Sequence, residues 1–118
     1  METFKHINLE YLDEMSDGSL DLKHDLIKMF IKQVPIFSEQ LDDLYQSGDY
    51  FSLGKLAHKI KSSVAMMGIN ELATDMKKLE NSAAEGREKE QYPIYISRFK
   101  AISTEAINEL NTILINQK

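Results

Sequence analysis

Five glycines and two prolines in 118 residues leave this chain few places to turn. A sandwich or barrel of many short strands needs a turn roughly every 8–12 residues, so the scarcity points to a few long helices. The breakers that exist are well spaced. Gly48-Asp49 marks a break followed by an N-cap, Gly68 a stop with Asn70 capping the next helix, and Gly86 near Pro93 the last connection. Between them the sequence predicts helices over Ser19–Ser47, Asp49–Met67, Asn70–Ala84 and Pro93–Ile115, preceded by a short amphipathic piece, Leu9–Met15. In the first, Leu26, Ile27, Phe30, Ile31, Val34, Phe37, Leu41 and Leu44 recur at three- and four-residue spacings, the period of a helix with one buried face. Pro35 lies inside it and either kinks one long helix or separates two shorter ones. Short connections make neighbours antiparallel. The expected fold is therefore all-α, an up-down-up-down antiparallel four-helix bundle with a short N-terminal helix, in a single domain spanning 1–118.

Composition narrows the function classes. With 42% hydrophobic and 28% charged residues the chain falls in the globular range. No apolar run approaches the roughly 20 residues of a membrane helix, and the opening METFKHINLE lacks the apolar centre of a signal peptide, so a cytoplasmic protein is expected. The absence of Cys excludes disulfides, thiolate zinc sites and a cysteine nucleophile. A net charge of −5 argues against nucleic-acid and anionic-membrane partners. That charge is uneven: residues 50–70 carry Lys55, Lys59 and Lys61 and no acid, a basic island in an acidic chain. The island is either a site for an anionic group or an ordinary solvated helix face.

Its geometry is informative. At 100° per residue, Leu53, Leu56, Ala57, Ile60, Val64 and Met67 form a narrow core-facing stripe, and His58 falls about 140° from Leu53, outside it. Phe51, Gly54, Lys61, Ser62 and Ala65 share its side of the helix, so the imidazole stands in a shallow trough of small side chains. Gly54 lowers helix propensity by roughly 1 kcal/mol relative to Ala, which makes sense where another surface must approach closely. An accessible imidazole with an unperturbed pKa of about 6.5 is largely neutral at cytoplasmic pH and nucleophilic enough to attack phosphorus. Lys61, three residues on, is placed to reach an oxyanion held on the ring. No Gly-rich phosphate loop and no kinase-type metal motif is present, so the chain does not take phosphate from ATP unaided. On geometry alone an exposed histidine among lysines remains the alternative.

The stretch Ala57-His58-Lys59-Ile60-Lys61-Ser62-Ser63, with Gly68 ten residues after the histidine and Leu79-Glu80 beyond, resembles the signature of histidine phosphotransfer (HPt) domains. Upstream, Tyr11-Leu12, the Asp17-Gly18 break, Phe30–Pro35 and Gly48-Asp49 look like the opening helices of that family. The resemblance covers roughly residues 9–86, the last helix matching in length and amphipathicity only. It implies that His58 accepts a phosphoryl group, that Lys61 helps hold the phosphoryl oxygens, and that Glu80 orients one ring nitrogen. It implies receiver domains of response regulators or hybrid kinases as partners, docking over Phe51, Gly54, Lys55, Lys59, Ser62 and Ala65. Ser62 departs from the family, which usually has Gly there; its hydroxyl either donates to the phosphate or crowds the partner.

The resemblance thus implies a chain that relays a phosphoryl group between receiver aspartates and is not expected to have kinase activity of its own. No cofactor is expected, any Mg²⁺ being held by the receiver's own carboxylates. A monomer is expected, since one chain closes the bundle. A helical adaptor that docks the same partners without transfer is the alternative; the acceptor bundle of a full histidine kinase is disfavoured, because one chain supplies all four helices. His6, His24 and His58 lack metal-ligand spacing, and no metal site is expected. Asp42-Asp43 reads as solvated surface, Met29, Met66, Met67 and Met76 as core filler, and Tyr92 and Tyr95 as packing for the last helix.

Overall fold

A computed structural model describes residues 4–116. Helix α1 spans Glu10–Ser16, α2 Leu20–Ser47, α3 Tyr50–Met66, α4 Asn70–Glu85 and α5 Tyr92–Asn116, with a 3₁₀ turn at Lys89–Gln91. The four long helices alternate in direction, and the pairs α2–α3, α3–α4, α4–α5 and α5–α2 close an up-down-up-down bundle onto which α1 packs. The bundle measures 44 × 22 × 21 Å. Its long axis is set by α2, whose 28 residues run about 42 Å at 1.5 Å per residue.

Pro35 leaves that helix in one piece. It lies on the exposed side, where solvent can satisfy the carbonyl one turn earlier that lost its donor. The buried face of α2 is Ile27, Phe30, Val34, Phe37 and Leu41, against Leu53, Ala57, Ile60 and Val64 of α3, Leu72, Met76 and Leu79 of α4, and Phe99, Ala106 and Leu110 of α5. Each fully buried Val, Leu, Ile, Phe or Met side chain among these contributes about 1.5–3 kcal/mol. Leu56 departs from the predicted stripe and is half-buried.

The helix ends explain the other departures. At the end of α3, Gly68 N–H donates to the Ala65 carbonyl at 3.0 Å and Ile69 N–H to the Val64 carbonyl at 3.0 Å, with Gly68 at φ +72°. This closure needs a left-handed residue, which glycine supplies without strain. It then drives Ile69 fully into the core. Ile69 therefore occupies the N-cap position of α4 without a side-chain cap, and Asn70, expected to cap, is the first helical residue instead. Helix α5 begins at Tyr92, one residue before the predicted Pro93. Tyr92 is buried, its hydroxyl donating to the Arg87 carbonyl at 2.7 Å and its ring meeting Tyr50 edge-on at 5.3 Å.

Residues 4–9 form a strap across the α4 and α5 end of the bundle. The Glu109 carboxylate accepts from the backbone N–H of Lys5 at 2.8 Å, His6 at 3.1 Å and Ile7 at 3.1 Å. The buried His6 ring is wedged between acids, Nδ1 on Glu71 and Nε2 3.3 Å from Glu105. Asn8 N–H donates to the Met67 carbonyl at 3.2 Å, crossing the α3–α4 turn. Among the described residues no helix is long and apolar enough to cross a membrane.

Candidate functional site

Asp49 starts α3, its side chain accepting from Ser52 N–H at 3.1 Å. Two turns on, His58 projects from the outer side of the helix with 62% of its side chain exposed. Its Nδ1 lies 2.7 Å from Glu80 Oε2 on α4, and Lys61 Nζ donates to the other oxygen of the same carboxylate, Oε1, at 3.1 Å. Glu80 thus clasps the imidazole with one oxygen and the ammonium with the other.

The geometry of this clasp fixes the tautomer of the neutral ring. Burial pushes the Glu80 carboxyl up, but the hydrogen bonds and charges of Lys61 and His58 outweigh it and hold the group below its ordinary value of 4.5. An ionised carboxylate only accepts, so Nδ1 carries a hydrogen toward Glu80. In the neutral ring the lone pair is then on Nε2, the nitrogen away from the carboxylate. The arrangement is a helix-borne nucleophile with an oriented tautomer and a cation alongside.

Beside the ring is an open recess of about 300 Å³ lined by Phe51, Gly54, Lys55, His58, Glu80 and Ala84. Phe51 is 65% exposed and Lys55 Nζ sits 4.5 Å from its ring centroid. The structure therefore gathers His58, Lys61, Glu80, Phe51, Lys55 and Gly54. Lys59 leans away toward α2, its Nζ 5.8 Å from the Phe37 ring centroid, and Ser62 and Ala65 are exposed on α3 outside the recess.

The close approach at Gly54 comes from within the chain. The residue is buried, and the surface that approaches it is α4 of the same chain: a Cβ there would stand 3.3 Å from both the Ala83 Cβ and the Glu80 carbonyl oxygen. Its small size brings the two helices together so that Glu80 reaches His58. Ala84, which the sequence pattern does not single out, lines the recess one turn beyond Glu80; the signal was an alanine four residues after the acid on one helix face. Among the described residues no three His, Cys, Asp or Glu side chains are arranged to hold a metal ion.

Comparison with known proteins decides what kind of domain carries this clasp. Residues 25–113 match the Hpt domain family. The chain belongs to that family. Histidine phosphotransfer in phosphorelay signalling is accordingly the role of this Hpt domain. The match contains all of α3 and α4 and extends through most of α5, which the sequence relates to the family by length and amphipathicity only. Among solved structures, the crystal structure of histidine-containing phosphotransfer protein B (HptB) from Pseudomonas aeruginosa PAO1 is similar, with a TM-score of 0.84 and 24% sequence identity over 93% of this chain and 95% of that one. At that identity the likeness establishes the bundle. No curated protein matches the chain.

Proposed function

We propose that His58 is the residue of this Hpt domain that accepts the phosphoryl group, through Nε2, and that Lys61 and Glu80 serve it. The observation that carries the reading is the clasp: Glu80 accepts a hydrogen bond from Nδ1 at 2.7 Å, which leaves the lone pair on Nε2, away from the carboxylate. Neither His6 nor His24 offers this. His6 is buried between Glu71 and Glu105, and Nε2 of His24 is buried.

In the transfer the Nε2 lone pair forms a bond to phosphorus as the bond to a receiver's aspartate oxygen breaks, and that carboxylate departs with the electron pair. The phosphoryl group passes on by the reverse step. Lys61 lies on the same helix face, where its charge offsets the equatorial oxygens as they arrive. The recess with its exposed Phe51, the Lys55 stacked on it and Gly54 in its wall supports docking of a receiver domain around His58, with Lys59, Ser62 and Ala65 beyond its margin. The chain acts as a phosphoryl carrier without kinase activity, as a single monomeric domain of the cytoplasm.

Incubation with a phosphorylated receiver domain tests the assignment. Label is expected to reach the wild-type chain as acid-labile, base-stable phosphohistidine and to be lost in His58→Gln. Equal labelling of His58→Gln would remove His58 from the role.

A further inference from the structure

The Glu80 clasp has a consequence for the phosphorylated protein as well as for the free one. When Nε2 bonds to phosphorus, the hydrogen on Nδ1 stays where it is, and the ring becomes a phospho-imidazolium carrying a positive charge. In that form the ring departs neutral when the phosphoryl group moves on: the N–P bond breaks and its electron pair returns to Nε2. If Nδ1 has lost its hydrogen, the ring must depart as an imidazolate, a far poorer leaving group. The lability of the phosphoryl group therefore depends on whether Nδ1 keeps its proton.

We propose that Glu80 is a positioning residue that sets the range of pH over which His58 can give up its phosphoryl group, by holding the Nδ1 hydrogen on the phosphorylated ring with a full negative charge. This rests on His58 being the acceptor. The charged groups facing the ring are Glu80 from α4 and, from α3 itself, Lys61 and Lys55. Glu80 alone among them contacts a ring nitrogen and favours the cation. Lys61 opposes it, but on the far oxygen of the carboxylate, 3.1 Å away. Because Glu80 is held below the ordinary carboxylate value, its charge is present across the whole range in which an imidazole titrates. An opposite charge at hydrogen-bond distance favours the charged form of its partner.

The test needs no receiver. Phosphoramidate donates its phosphoryl group to Nε2 with loss of ammonia, and water then hydrolyses the N–P bond at a rate set by the same leaving group. Wild type, Glu80→Gln and His58→Gln are treated with phosphoramidate, and loss of the phosphohistidine signal is followed by phosphorus NMR from roughly pH 6 to 10, bracketing the imidazole range. The amide introduced by Glu80→Gln retains a carbonyl oxygen to accept from Nδ1, so ring orientation survives while the charge is removed. The alkaline fall in hydrolysis rate is expected to begin about one pH unit lower in Glu80→Gln, making it roughly tenfold slower than wild type within that fall and equal to it at the acid end. Glu80→Asp, which keeps the charge on a shorter arm, is expected to lie between them. Coincident profiles for wild type and Glu80→Gln would overturn the proposal while leaving His58 as acceptor. Equal labelling of wild type and His58→Gln would overturn the assignment of His58 itself.

Discussion

A Cβ placed on Gly68 would stand 2.0 Å from the carbonyl oxygen of Asn8. The strap runs so close over the α3–α4 turn that no side chain fits beneath it, and the obstructing atom is backbone. Gly68→Ala adds this collision to the cost of a side chain at φ +72°, and a loss on the order of 3 kcal/mol is expected in denaturant unfolding. Gly86→Ala is the control. It has φ +64° and nothing within 4 Å of its Cβ, so only the backbone cost applies, about 1 kcal/mol.

Removing the acceptor that holds the strap should loosen it without touching the chemistry. Glu109→Ala leaves three backbone donors, on Lys5, His6 and Ile7, without their carboxylate. Faster hydrogen exchange at those amides and a stability loss of about 1–3 kcal/mol are expected. The rate of phosphotransfer at His58 should stay at the wild-type value.

Lys61→Ala should show the opposite pattern. Its ion pair with Glu80 is partly exposed, 30% and 27% at the two side chains, so its loss should lower stability by no more than about 1 kcal/mol. If its charge offsets the incoming phosphoryl oxygens, the transfer rate should drop roughly ten- to a hundredfold, as for one charged contact worth about 1–3 kcal/mol. Rapid-quench transfer kinetics beside a thermal melt separate the two effects, and an unaltered rate with a collapsed melting point would make Lys61 structural.

Acid should dissolve the clasp in a definite window. The folded-state value of Glu80 lies below its ordinary 4.5, so its contribution to stability is fully present above that value and is lost as pH falls through the lower, folded one. The difference in melting temperature between wild type and Glu80→Gln should shrink as pH falls below about 4.5. A difference that persists unchanged well below the ordinary carboxylate range would contradict the assigned pairing.

Gly54→Val tests how the two helices deliver the clasp. With Ala83 and the Glu80 carbonyl already 3.3 Å from an added Cβ, the branched side chain must push α4 outward. A stability loss of about 1–3 kcal/mol is expected together with slower transfer, since the distance from Glu80 to His58 opens with it.

The helices were legible in the sequence because each is stated locally. The period from Leu26 to Leu44 announced α2, and the glycines at 48, 68 and 86 marked its end and those of α3 and α4. The imidazole's outward position came from the same period. What resisted reading was set by contacts across the chain. Ile69 took the cap position from Asn70 because the core claimed it. Gly54 was correctly singled out as a place of close approach, but a single helix cannot say whether the approaching surface is another protein or its own neighbour. His6 gave no sign of its part in the strap, since its partners are 65 or more residues away. That Glu80 would grip Lys61 as well as His58 also needed the packed pair of helices.

The strap also bears on the order in which the molecule assembles. Lys5 and Glu109 are 104 residues apart, whereas His58 and Glu80 are separated by 22. Closing the longer ring costs more chain entropy, which favours the short-range pairing of α3 with α4 forming first. The acceptor site is thus expected to form within an early helical hairpin, and the strap to meet Glu109 late. Local opening of the strap, far along the chain from His58 and Glu80, is then expected to leave the nucleophile and its orienting acid in register, so phosphoryl acceptance should outlast the strap on progressive destabilisation.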